Sequence, residues 1–173
     1  MILTGSQIIE ELNSNNIIIS PFNIAQINPN SYDFRLGNSL KAYKNVVLDP
    51  KIRQDVNEIK IDKKGFTLDR NKFYLGSTFE KMGSNKFVPI IKGKSSLARL
   101  GLFIHITADL IDIGSINHWT LQLFAVQPII VYPGMLIGQV TFWMVSGEIT
   151  LYNGKYKDTI GPCESLSYLD NNN

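Results

Sequence analysis

One cysteine and two histidines are all that this chain of 173 residues carries of the thiol and imidazole side chains. The lone Cys163 excludes an internal disulfide and any cysteine-based metal cluster, which fits a reducing, cytoplasmic compartment. Charge is scarce too: 18% of residues are Asp, Glu, Lys or Arg, and seventeen basic against fifteen acidic residues leave +2 at neutral pH. That balance argues against nucleic acid as the main partner, while a small anion would suit it. No apolar run approaches the roughly 20 residues needed to cross a bilayer. The opening "MILTGSQIIEELN" carries acidic residues where an export signal would be basic, so no membrane partner is expected.

What the chain does have is short apolar segments. Its 44% hydrophobic content suffices for one domain over residues 1–173 with a sizeable core. Segments such as "SYDFRLG", "KFVPIIKG", "LFIHITADLIDIG", "WTLQLFAV" and "LIGQVTFWMV" are rich in β-branched and aromatic residues and bounded by Gly, Pro, Asn or Asp, the mark of a mostly β fold. One N-terminal helix is predicted, because Thr4 and Gln7 form a capping-box pattern ahead of Ile8, Ile9 and Leu12 on one face. A helical turn fits "SSLARLG", with Ser95 as its cap. Lys51 to Lys64 reads as a surface excursion or hairpin, "YPGM" from Tyr132 to Met135 as a turn, and the terminal "LDNNN" as frayed.

Three stretches can carry chemistry. In "KGKSSLARLGL", Lys92, Lys94, Ser95, Ser96 and Arg99 gather cations and hydroxyls beside Gly93, where backbone can approach a ligand closely. Phosphate would suit this stretch; a polar loop running into a helix would produce it as well. Arg99 lies among Leu97, Leu100 and Leu102, where a buried guanidinium needs an anionic or carbonyl partner. In "HITADLIDIG", alternation sets His105, Thr107 and Asp109 on one face of an apolar strand, with Asp112 near its end as an acid or a turn cap. In "HWTLQLFAV", Trp119, Leu121 and Leu123 share one face and Thr120, Gln122 and Phe124 the other.

Together with "INPNSYDFRLG" and "YPGMLIGQVTFW", the motifs "GKSSLARLGL" and "HITADLIDIG" resemble the dCTP deaminase branch of the dCTP deaminase/dUTPase family over almost the whole chain. The resemblance implies a distorted β-barrel or jelly roll with a short N-terminal helix, assembled as a homotrimer with nucleotide sites between subunits. It implies a deoxypyrimidine nucleoside triphosphate as ligand and Mg²⁺ held through the triphosphate oxygens. Lys94, Ser95, Ser96 and Arg99 match the triphosphate segment, Thr107 and Ala108 the stretch near the pyrimidine, and Asp112 an acid near the sugar and the reactive water. Tyr152, Lys155, Tyr156 and Thr159 match the C-terminal segment that closes over the nucleotide, with Thr159 where glutamine is usual. Gln122, Asp112, Ser95 and Arg99 form the candidate catalytic set, and Asp33 and Arg35 of "SYDFRLG" a candidate structural ion pair.

The sequence departs from the family at its reactive end. Gln122 stands where this branch has the glutamate of "T-L-E-L", which activates water for attack on cytosine C4, and a neutral amide cannot take that proton. Ile113 replaces the proline of "D-P-G", and "SINHW" lacks the usual glycine before the strand. Three readings remain: a dCTP deaminase in which Asp112 acts through a water, a dUTP diphosphatase in which Gln122 reads the base, and a nucleotide-binding trimer without chemistry. A zinc-dependent deaminase is excluded, since the H-x-E and P-C-x-x-C arrangement is absent.

Overall fold

The computed structural model describes residues 1–171. Helix α1 (Gly5–Asn13) begins where the Thr4 hydroxyl accepts from the Gln7 backbone N–H at 3.4 Å. The reciprocal half of the capping box is not made, and the Gln7 NH2 group donates to Glu11 Oε1 at 3.5 Å. Ile8 is fully buried and Leu12 packs against the same core.

Thirteen strands occur among the described residues: β1 (Ile17–Ser20), β2 (Ile27–Asn28), β3 (Ser31–Arg35), β4 (Ser39–Tyr43), β5 (Val56–Lys60), β6 (Phe66–Leu68), β7 (Phe73–Ser77), β8 (Lys81–Ser84), β9 (Val88–Gly93), β10 (Leu102–Phe103), β11 (Thr120–Ala125), β12 (Ile129–Val131) and β13 (Leu136–Trp143). A short helix α2 (Ser95–Ala98) links β9 to β10. The strands pair antiparallel in a five-stranded sheet ordered β10-β11-β7-β4-β5, a four-stranded sheet ordered β2-β3-β13-β9, and the pairs β1-β8 and β12-β6. Tyr32, Phe34, Tyr74 and Phe142 are fully buried, each contributing about 1.5–3 kcal/mol of hydrophobic stabilisation.

These sheets do not close into the expected barrel. Between β10 and β11 the chain is irregular and meets neighbouring strands through single bridges, Ile90 with Leu110 and Met82 with Asn117, and through isolated hydrogen bonds, not through a continuous ladder. The Asp, Gly and Asn content of "ADLIDIGSIN" favours turns over a ladder, and Gly114 sits at φ +92°. The apolar run expected as a strand through His105 and Asp109 is therefore a strand only at Leu102–Phe103.

Asp33 and Arg35 do not pair with each other. Arg35 Nε meets Oε1 of the fully buried Glu80 at 2.6 Å, and the Arg35 N–H donates to Oε2 at 2.9 Å. Asp33 instead takes the Lys94 ammonium together with the amides of Gln139 and Asn28, each at 2.8 Å. The excursion after Lys51 supplies β5, the outer strand of the β4-β5 hairpin. At "YPGM" the Met135 N–H donates to the Tyr132 carbonyl at 3.3 Å, with Gly134 at φ +76°. Of the tail expected to fray, Leu169 to Asn171 belong to a 3-10 turn (Ser167–Asn171), and the last two residues lie outside the described ones. Among the described residues no helix is long and apolar enough to cross a membrane.

Candidate active site

Strand β11 builds one wall of the site by simple alternation. Leu121, Leu123 and Ala125 are buried in the core, while Thr120, Gln122 and Phe124 are half-buried on the opposite face. Gln122 faces Leu75 of β7 in register, and its backbone N–H donates to the Ile104 carbonyl at 2.9 Å, which draws the irregular stretch along β11. Its side-chain Oε1 accepts from the N–H groups of Ile106 at 2.9 Å and Thr107 at 3.4 Å. Turning the amide over would set its NH2 against two donors, so this contact fixes its orientation. Gln122 lines a cleft of about 470 Å³, and no described residue accepts from its NH2 group.

Asp112 lines the same cleft from the turn in which the Ser115 N–H donates to its carbonyl at 3.1 Å. It is exposed, and its carboxylate engages no described residue. Next to it, the Tyr152 N–H donates to the Ile113 carbonyl at 2.7 Å, bringing in the C-terminal segment. That segment is fastened across the cleft. Asn117 Nδ2 donates to the carbonyls of Tyr156 at 3.0 Å and Lys157 at 3.3 Å, and the Cys163 N–H donates to Thr120 Oγ1 at 3.0 Å. The Ser165 N–H donates to the Tyr43 hydroxyl at 2.9 Å, and Glu164 meets Lys41 at 2.7 Å and Arg53 at 3.6 Å. The Lys41 hydrogen bond holds the Glu164 carboxyl below its ordinary range, whereas burial pushes the Cys163 thiol up.

Six of the sequence-predicted site residues come together here: Ala108, Asp112, Gln122, Tyr152, Tyr156 and Thr159 all line the cleft. Thr159 donates from its hydroxyl to the Tyr156 carbonyl at 3.1 Å. Thr107 is exposed and reaches the site through its N–H on Gln122. Lys155 is paired with Asp170, its ammonium 5.6 Å from the Tyr156 ring centroid, and it does not line the cleft.

The cationic stretch is elsewhere. Lys94, Ser95, Ser96 and Arg99 are all missing from the cleft lining. Lys94, not Ser95, occupies the cap position of α2, and no side chain caps it. Arg99 was expected to be buried among leucines; it is exposed and has no acidic partner among the described residues. The leucines split their duties: Leu102 is buried, Leu97 packs against the core, and Leu100 is exposed, so the turn sends the guanidinium outward. His105 is half-buried outside the cleft, and burial pushes its imidazole down while Asp109 pulls the other way. Asp109 is paired with Lys92 at 2.7 Å.

Sequence reasoning missed Thr120, Asn117, Tyr43, Cys163 and Glu164 as cleft residues. Thr120 was within reach, since alternation puts it on the Gln122 face. The others arrive through contacts that span tens of residues of chain. Among the described residues, no three His, Cys, Asp or Glu side chains gather as a metal site.

At this volume the cleft falls in the range of small-molecule sites. Fold and cleft thus define a mostly β protein with a small-molecule-sized cleft, lined by apolar and polar side chains, under a C-terminal strap. Residues 2–145 match the dCTP deaminase-like family. Over 171 residues, covering 98% of both chains, the protein is 47% identical to a "dCTP deaminase, dUMP-forming" of Clostridium beijerinckii. A protein of the same description from Clostridium botulinum is 46% identical over the same share. The crystal structure of a 2'-deoxycytidine 5'-triphosphate deaminase from Agrobacterium tumefaciens superposes with a TM-score of 0.66 at 20% identity, over 83% of this chain and 48% of that one, a likeness of fold. The chain belongs to the dCTP deaminase-like family and is a hydrolase of that kind.

Proposed function

We propose that the protein hydrolyses a deoxypyrimidine nucleoside triphosphate in this cleft, taking dCTP by way of dUTP to dUMP. The observation that carries this reading is the convergence of Ala108, Asp112, Gln122, Tyr152, Tyr156 and Thr159 on one cleft. Identity of nearly one half to dUMP-forming relatives over their full length supports the product. Because Lys94, Ser95, Ser96 and Arg99 are absent from that lining, they would grip the triphosphate lying in another subunit's cleft. The working form is therefore a homotrimer with shared sites, and a cytoplasmic location goes with its single thiol.

Two hydrolyses are involved. In the first, water adds to C4 of cytosine and ammonia leaves, so dCTP and water become dUTP and ammonia. In the second, water attacks the α-phosphorus and the bond to the β-phosphate bridging oxygen breaks, giving dUMP and pyrophosphate. Gln122 cannot act as the base of the first step, and Glu164 is engaged by Lys41 and Arg53. Asp112 is the cleft carboxylate left to hold a water. Without a well-placed base the first step forgoes about 10²–10⁴ in rate. Mg²⁺ would enter on the triphosphate oxygens, since the described residues offer no cluster of ligands for it, and it would supply charge neutralisation when bound. Lys155 would leave Asp170 to reach phosphate.

A second reading, a dUTP diphosphatase without deamination, is favoured by the neutral amide at Gln122. Product analysis with Mg²⁺ and either dCTP or dUTP separates the two. Ammonia with dUMP supports the first, dUMP from dUTP alone supports the second, and unchanged nucleotides would leave a binding protein.

A further inference from the structure

We infer that Gln122 is a one-sided specificity residue that makes the cleft prefer a 4-oxo pyrimidine, so that dUTP is a better ligand and substrate than dCTP. The inference rests on the proposed reading that the pyrimidine ring lies in this cleft with its C4 edge towards β11.

An amide normally offers a donor and an acceptor and can rotate to suit either partner. Gln122 has lost that freedom, because its Oε1 is occupied by the N–H groups of Ile106 and Thr107. Both donors belong to backbone that is itself held along β11 by the Gln122 N–H bond to Ile104, so the side chain and its clamp form one rigid unit. Only the NH2 group remains for a ligand. Uracil presents a carbonyl oxygen at C4 and accepts that hydrogen bond, whereas cytosine presents a second NH2 and leaves two donors opposed. An unpaired polar group in such a site lowers affinity by about tenfold or more.

The consequence reaches the reaction order. A nucleotide that has exchanged its 4-amino group for oxygen gains a hydrogen bond at Gln122, so the site holds dUTP for the step at phosphorus. A carboxylate at position 122 would keep one oxygen on the same two N–H groups and turn an acceptor to the ring, which reverses the preference.

The test is calorimetric titration of the protein, in buffer containing Mg²⁺, with the α,β-imido analogues of dUTP and dCTP, which resist cleavage at the α-phosphorus, with chromatography verifying that the cytosine analogue is recovered without loss of its amino group. The wild type should bind the dUTP analogue at least about tenfold more tightly. Gln122→Met should bring the two affinities together, and Gln122→Glu should invert their order, with circular dichroism verifying the fold. A ratio near one in the wild type, or a preference for the cytosine analogue, overturns the inference; the latter would set the amide against ring N3. Tight binding of both analogues with equal affinity would still leave the nucleotide reading intact. Failure to bind either would remove that reading, and the inference with it. The wild-type ratio suffices even if a variant misfolds.

Discussion

The cleft and the α2 turn differ in how far one chain satisfies them. In the cleft, Gln122 is clamped by Ile106 and Thr107, Thr120 by Cys163, and Glu164 by Lys41, so its geometry is set before any ligand arrives. On the α2 turn, Ser95, Ser96 and Arg99 are exposed, and only Lys94 is tied down, by Asp33. A preorganised pocket reads shape and hydrogen-bond pattern at little reorganisation cost, while exposed cations suit a polyanion brought in from outside. In the proposed reading the first would read the base and the second would grip phosphate, and within one chain the two line no common cavity.

The largest break in this contrast should come from Arg99→Ala, which removes the least committed cation. It should weaken triphosphate binding by about 2–4 kcal/mol and monophosphate binding much less, as read by titration with dUTP and dUMP. Equal losses for both would make Arg99 a fold residue. Glu164→Gln attacks the committed side: cutting a half-buried pair that anchors the strap should lower stability by about 1–3 kcal/mol in thermal melts and loosen nucleotide binding. Its protective effect also has a pH signature. With the Glu164 carboxyl held below its usual range, the pair stabilises the protein above the ordinary glutamate pKa and loses its effect as pH falls through the lowered value.

Gln122→Glu comes next, restoring a carboxylate with nearly the same shape. Deamination of dCTP should rise by at least about tenfold, read as ammonia release. An unchanged rate in a variant that still binds dCTP would take Gln122 away from the pyrimidine. The smallest effect belongs to His105. Because burial depresses its pKa, the unfolded chain takes up a proton more readily than the folded one, so stability holds above the ordinary histidine pKa of about 6.5 and declines as pH falls below it. His105→Gln should flatten that slope between pH 7 and 5 in denaturant titrations.

How much of this was legible in the sequence follows from the range of each interaction. Local rules worked: period-two alternation assigned the two faces of β11, Thr4 caps α1, and "YPGM" turns. Long-range pairing was hidden. Asp33 and Arg35 look like partners because they are two residues apart, yet Arg35 pairs with Glu80, just before β8, and Asp33 with Lys94, just after β9, both brought alongside only by folding. The apolar run from Leu102 to Ile113 reads as a strand, but its turn-forming Asp and Gly residues let it detach into the irregular loop that carries Ala108 and Asp112. The Gln122 clamp was equally invisible, since a sequence shows an amide and not which of its ends is already taken. The family motifs drew attention to Lys94–Arg99 and Asp112 together, although within one chain they line no common cavity.

Subunit complementation tests most directly whether the two halves meet across an interface. Arg99→Ala and Asp112→Asn proteins, each expected to lose most dUMP formation at low dUTP, would be mixed, partly unfolded and reassembled, with light scattering to follow the oligomer. If each site takes α2 from one subunit and the cleft from its neighbour, random mixing rebuilds roughly a quarter of the sites with both groups intact, and activity should return to about that fraction in a trimer-sized particle. No recovery in well-formed mixed trimers, or a fully active monomer of the wild type, would contradict the shared site.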